Sequence, residues 1–254
     1  MGVNVQEYYL QLWNARTDLF INDDTGRFIV CTVDTAQRPV IFSDRFASST
    51  ITNSIGTLTD GVVQFYIDAG TTSVDLFIMT AEGQYYMIED LTPSQHRLDV
   101  NPEVRDYTAV IPFNGEAADG VEFDSEINFP VGAVIMDCEV RVITLTASEL
   151  LDVGLETTDP NGFLAAHSLA AAGLATSKGV TNGGANIDFV DAITRGALLS
   201  PGLIQGTDVV AVDGAVVHNH YLVATAAHLT YEQTNSITAD GYILVKYYLT
   251  PDIA

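Results

Sequence analysis

Apolar and polar residues alternate with a period of two along much of this chain. That period belongs to β-strands with one buried and one wet face. In the clearest case Val134, Met136, Cys138, Val140 and Val142 point one way, and Asp137, Glu139 and Arg141 point the other. In a second strand Ile243, Val245, Tyr247 and Leu249 share one face. β-branched and aromatic runs predict further strands at residues 28–33, 62–68, 74–79, 85–88, 97–100, 110–113 and 151–155. Asp159-Pro160-Asn161-Gly162 reads as a turn, because Pro pre-sets φ and Asn and Gly tolerate positive φ. Asp213-Gly214, flanked by the β-branched runs of residues 209–217, predicts a hairpin with a type I′ turn, and Asp240-Gly241 predicts a second. Helical pattern is scarce. Residues 164–177 are rich in Ala and predict one short helix, weakened at Gly173 by about 1 kcal/mol relative to Ala. Residues 6–19 suit a helix, an arm or a strand, and the Gly- and Asn-rich residues 177–186 read as a loop.

Many short strands, regular turns and little helix predict an all-β fold of antiparallel β-sandwich domains, either two sandwiches or one plus a smaller β-domain. Asn101-Pro102 is a boundary signal. It separates residues 1–104, an N-terminal arm plus a small β-sandwich, from residues 105–254, a C-terminal β-sandwich. A length of 254 residues accommodates both, and 47% hydrophobic residues suffice for cores.

Charge narrows the partners. There are 33 acidic residues against 10 basic ones, a formal net charge of −23, and the lysines are Lys178 and Lys246. The acids are spread among apolar strands, as on a solvated outer surface. Nucleic acid and anionic membranes are not expected partners, because phosphate contacts need clustered Lys and Arg. High solubility, a basic partner or a salty environment all fit. The N-terminal residues carry neither a signal-peptide nor a myristoylation pattern, and no apolar run approaches a membrane span. Cys31 and Cys138 each sit in an apolar strand pattern, which favours buried free thiols over a disulfide.

No nucleophile elbow, phosphate-binding loop, dinucleotide fingerprint, H-E-x-x-H or calcium loop is present, and no cofactor is expected. The turns at residues 22–26 and 159–162 offer oxygens to Ca²⁺, but such turns are commoner as plain turns. His218 and His220 share a strand face, with His228 as a third zinc-ligand candidate from a neighbouring strand. The plain alternative is polar residues at a turn. Tyr8, Tyr9 and Trp13 cluster near the N-terminus, either as an arm docking on a partner or as local core.

One pattern does point to a role. It comprises Phe129-Pro130, Gly132-Ala133-Val134, Asp137, Leu151-Asp152-Val153-Gly154, Asp159, Gly162-Phe163-Leu164 and Ala172-Gly173. It continues through Thr194-Arg195-Gly196-Ala197-Leu198-Leu199 and the closing strand at 241–248. Across residues 110–249 the chain resembles the C-terminal β-domain of tailed-phage head decoration (cement) proteins. The resemblance implies a structural virion protein and not an enzyme. It implies a homotrimer on the head exterior, made in the host cytoplasm, that clamps neighbouring major capsid protein subunits. If the chain trimerises, Ala171, Ala172, Gly173, Gly196 and Ala197 are candidates for the subunit seam, where small residues allow close approach. Two other readings stay open. A receptor- or glycan-binding β-module of a virion fibre or adhesin predicts exposed aromatics in a concave site. A hydrolase on a β-sandwich predicts a deep pocket with a strongly perturbed carboxylate or histidine.

Overall fold

A computed structural model describes residues 4–101, 106–146, 148–156, 159–169, 174–176, 179–180 and 220–249. The chain forms two compact units, Met1–Arg105 and Asp106–Ala254. Both are built of strands, with a single short 3₁₀ turn, Thr52–Ser54, among the described residues.

The first unit contains β1 (Val5–Asn14), β2 (Leu19–Phe20), β3 (Arg27–Thr32), β4 (Ile41–Phe42) and β5 (Thr50–Ile51). It continues with β6 (Ile55–Thr57), β7 (Val62–Asp68), β8 (Val74–Met79), β9 (Tyr85–Leu91) and β10 (Arg97–Val100). One sheet runs β10-β1-β7-β4-β5, with β2 on β1, and the other runs β6-β3-β8-β9. Residues 6–19 therefore form neither helix nor arm. Most of that segment is β1, held between β7 and β10. The β1–β10 pair is parallel, a departure from the antiparallel pattern of the other ladders. The two sheets close on one core, where Phe28 of β3 meets Phe65 of β7 with ring centroids 6.0 Å apart.

The second unit contains β11 (Asp106–Phe113), β12 (Phe123–Phe129), β13 (Ala133–Thr144), β14 (Leu150–Leu155) and β15 (Asp159–Ser168). The remaining strands are β16 (Leu174–Thr176), β17 (Gly179–Val180), β18 (Tyr221–Leu222), β19 (Ala227–Thr234) and β20 (Asp240–Leu249). One sheet runs β11-β20-β13-β16-β17, with β18 on β13, and the other runs β12-β19-β14-β15. Phe129 of β12 meets Tyr247 of β20 edge-on at 5.0 Å, and Phe113 of β11 meets Tyr231 of β19 at 6.4 Å. These ring pairs bridge the sheets and define a second sandwich core.

Several expectations change. No helix forms in the described part of residues 164–177. Residues up to Ser168 belong to β15, and Leu174–Thr176 is β16. Helix propensity, even alanine's, is a weak preference, and strand pairing with β14 and β13 overrides it. Asp159-Pro160-Asn161-Gly162 opens β15 and is not a turn. Asp159 pairs with Leu155, and the register shift between Val153 and Leu155 absorbs the irregular residues that follow it. Asp240-Gly241 likewise opens β20. Gly241 lies opposite Phe113 and Val142, and a Cβ there would collide with the Arg141 carbonyl oxygen. Gly179–Val180, expected in a loop, pairs with β16. The hairpin predicted at residues 209–217 lies outside the described residues.

The alternating strand at Val134–Val142 is real but contains a register shift between Ile135 and Asp137. The shift makes Met136 an extra residue, half-buried, and exchanges the faces on its N-terminal side. Ile135, Cys138 and Val140 form the core face, opposite Tyr247, Val245 and Ile243 of β20. The other face is not wet at its centre. Asp137 is 1% exposed and Glu139 is also buried. Lys246 Nζ lies 2.7 Å from Glu139 Oε1 and 4.0 Å from Asp137 Oδ2. The lysine charge contributes to offsetting the desolvation of two acids on one strand. Cys31 and Cys138 are buried free thiols, and burial beside Asp137 and Glu139 pushes the Cys138 thiol well up.

Other acids are also internal, contrary to the expectation of an entirely outer acidic shell. Glu149 is fully buried. Its Oε1 accepts from Gln233 Nε2 at 2.5 Å, and its Oε2 accepts from the Thr238 and Ala239 N–H groups at 3.1 and 2.9 Å. Buried donors that lose their acceptor cost about 1–3 kcal/mol each. Glu149→Ala is therefore expected to lower unfolding stability by about 3 kcal/mol, read by chemical denaturation. Glu82→Ala, at an exposed position, is expected to stay within about 0.5 kcal/mol. Equal stability of the two variants would rule out a structural role for the Glu149 hydrogen bonds.

Candidate functional site

The N-terminal aromatics split across a sheet. Strand alternation turns Tyr8, Leu10 and Leu12 into the core and Tyr9, Gln11 and Trp13 away from it. Tyr8 is 1% exposed and stacks on Phe65 at 5.0 Å, and burial raises its phenol pKa. It is core and not a docking residue. Tyr9 is exposed, with its ring 6.4 Å from His96. Trp13 is half-buried under the Arg97 guanidinium, which lies 4.3 Å from the ring centroid. Asp18 and Asp99, each 2.6 Å away, hold that guanidinium in place.

Other apolar side chains of this unit are more accessible than the aromatic cluster. Leu19, Phe20 and Val40 are exposed, and Phe46 is 73% exposed. Phe46 rides on a loop organised by Asp44. One Asp44 oxygen accepts from the Phe46 N–H at 2.8 Å, and the other accepts from Ser48 Oγ at 2.8 Å and the Ser49 N–H at 2.9 Å. The Ser48 hydroxyl, with these backbone donors, lowers the Asp44 pKa. Arg45 stacks over the Phe46 ring at 4.7 Å. The loop presents an aromatic and a cation in a set geometry. Its sequence signal was present, since an Asp side chain readily accepts from the backbone N–H two residues on, here that of Phe46.

In the second unit His228 of β19 gathers two carboxylates. Its Nδ1 lies 2.9 Å from Asp124 Oδ2 and 3.7 Å from Glu156 Oε2. The backbone holds these positions. β12 runs beside β19, with Asp124 opposite Thr230 and Asn128 opposite His228. The Glu156 N–H donates to the His228 carbonyl at 3.0 Å. Asp124 raises the imidazole pKa most, through their hydrogen bond, and the charges of Glu156 and Glu126 add to the effect.

The expected histidine trio does not assemble as such. His228 joins Asp124 and Glu156, His220 is exposed and outside this group, and His218 lies outside the described residues. The seam candidates Ala171, Ala172, Gly173, Gly196 and Ala197 also lie outside them. The turn at residues 22–26 uses its carboxylates internally. Asp23 accepts from the Thr25, Gly26 and Ala81 N–H groups, and Asp24 accepts from the Asp60 N–H.

No family model matches the chain, and no curated protein matches it. Among solved structures, it is similar to the infectious bursal disease virus VP2 subviral particle at 8% identity with a TM-score of 0.20, over 97% of this chain and 58% of that one. It is also similar to infectious bursal disease virus, Gx strain, at 10% identity with a TM-score of 0.23, over 99% of this chain and 59% of that one. The chain thus spans under two thirds of either protein, and TM-scores of this size do not establish a shared fold.

The surroundings of two histidines displace their pKa values in opposite directions. His228 has a folded pKa above the ordinary value of about 6.5, so its pairing stabilises fully below that value and is lost as pH rises through the folded pKa. Burial lowers the pKa of His167, so the folded state loses stability as pH falls below about 6.5 toward the folded pKa. An NMR titration of chelator-treated protein is expected to show one imidazole midpoint displaced up and one down. His167→Gln should flatten the acid side of the stability profile and His228→Gln the alkaline side. Unshifted midpoints would remove this account.

Proposed function

We propose that this protein decorates the exterior of a tailed-phage head and stabilises it by clamping neighbouring major capsid protein subunits. The observation that carries the reading is the sequence pattern across residues 110–249. Its apolar positions among the described residues are packing positions. Phe129, Leu151, Val153, Phe163 and Leu164 are buried. Gly154 sits where a Cβ would strike the Asp159 carbonyl oxygen. The pattern therefore carries a sandwich, and function follows from it by family analogy. The composition supports the same reading. A −23 chain has little use for phosphate or anionic lipid and suits a basic protein face.

The physical advantage is many-sided attachment. A trimer touching several capsid subunits binds with an effective concentration that a single contact lacks. Because it binds the assembled shell and not free subunits, it shifts the equilibrium toward the shell. The Arg45–Phe46 loop supplies an exposed aromatic of the kind that anchors interfaces.

The test is to add purified protein to undecorated heads. We expect saturable binding, a rise in the temperature at which heads rupture, and weaker binding at high salt. The free protein is expected to have the mass of three chains. Phe46→Ala should weaken head binding about tenfold without lowering the protein's own stability. Absence of binding and unchanged head rupture would sink the proposal. Affinity for a glycan in its place would favour the receptor-binding module.

A further inference from the structure

We propose that Asp124, Glu156 and His228 form a binding site for a zinc-class divalent cation on the second unit, independent of the capsid-binding reading. The three groups offer one imidazole nitrogen and two carboxylate oxygens, all within 4.8 Å of one another. Zinc with bonds of about 2.0–2.1 Å in tetrahedral geometry needs ligand atoms about 3.3 Å apart. The observed separations from His228 Nδ1, 2.9 and 3.7 Å, fall on either side of that figure. Small side-chain rotations suffice to equalise them.

The supporting geometry comes from the backbone. The three residues lie on β12, on β19 and directly after β14, which are neighbours in one sheet in the order β12-β19-β14. The ladder and the bond from the Glu156 N–H to the His228 carbonyl bring the ligands together before any ion arrives. An ion there would tie three consecutive strands at one point. Each side chain is part-exposed, at 43% for Asp124, 48% for Glu156 and 35% for His228. Entry from solvent is therefore open, and a fourth position remains for water.

The chemistry of the donors selects the ion. An imidazole beside two carboxylates suits Zn²⁺ and its transition-metal neighbours, whereas Ca²⁺ and Mg²⁺ favour all-oxygen sites. Charge favours occupancy, because the carboxylates outnumber the one imidazole and Glu126 adds a nearby negative charge. Binding requires His228 Nδ1 to give its proton to solvent and present its lone pair to the metal.

The experiment is calorimetric titration of the chelator-treated full chain with Zn²⁺, in parallel with Ca²⁺, followed by thermal unfolding. We expect saturation at one Zn²⁺ per chain that depends on these residues, a rise in melting temperature with Zn²⁺, and no comparable response to Ca²⁺. His228→Gln and Glu156→Gln should each weaken Zn²⁺ binding at least tenfold. Both should keep the wild-type melting temperature in chelator to within a few degrees. Glu156→Gln changes an exposed side chain, so it keeps the test valid if the histidine variant folds poorly. Zinc binding left unchanged in either folded variant would overturn the proposal, as would no saturable zinc binding or equal binding of Ca²⁺.

Discussion

Buried carboxylates that accept backbone N–H groups hold the loops of both sandwiches in place. A sheet ladder satisfies its own backbone, but a loop that dips under a sheet edge leaves donors that need acceptors. An ionised carboxylate offers about four acceptor sites and no donors, so one side chain can gather several N–H groups. Asp23 joins its own turn to Ala81 across the first unit. Asp75 accepts from the N–H of Asp34, in the turn after β3, and from that of Asp90, near the end of β9, and both residues have positive φ. Glu149 closes the connection between β19 and β20. Part of the acid excess is thus architectural and not a coating. Remove these acceptors and the strands still pair, but the connections that set which strand follows which lose their anchors.

The strands were the legible part of the sequence, through a period of two where one face is buried and through apolar runs where both are. Val62–Asp68 and Val74–Met79 have the bounds that the apolar runs mark. Ile243, Val245, Tyr247 and Leu249 share the buried face of β20. The failures sit where a non-local partner overrules local chemistry. Asp159-Pro160-Asn161-Gly162 has every residue of a turn, yet pairing with β14 draws it into a strand and spends the irregularity on a register shift. The extra residue at Met136 arises from the fit of β13 to β20, and nothing in the local alternation betrays it. The candidate site shows the same limit. His228 was visible as a candidate ligand, but Asp124 is 104 residues away and is brought to it by the β12–β19 ladder alone.

Charge balance connects the two functional ideas. Ten basic residues cannot neutralise 33 acids, and some of those ten are already committed. Lys246 sits on Glu139 and Asp137, and Arg97 on Asp18 and Asp99. The remaining carboxylates face three possible counter-charges: mobile salt, a bound ion, or a basic partner surface. Glu232 shows what crowding of like charge does. Burial raises its pKa, and the charges of Asp152, Glu122 and Asp119 raise it further.

These counter-charges differ in their response to ionic strength. Screening weakens attraction between exposed charges beyond about 8–10 Å at ordinary salt, so the proposed docking of an acidic trimer onto a basic shell would weaken as salt rises. A cation held by an imidazole and two carboxylates is bound at contact distance, where screening is far weaker, and its competitor is the proton on His228. Salt and pH therefore separate the two. Attachment that falls with salt but holds between neutral and alkaline pH reports the surface field, whereas occupancy that falls with acid but tolerates salt reports the coordination site. If attachment itself followed the acid titration and ignored salt, the ion would be part of the interface, and the β12–β19–β14 end of the second sandwich would face the shell.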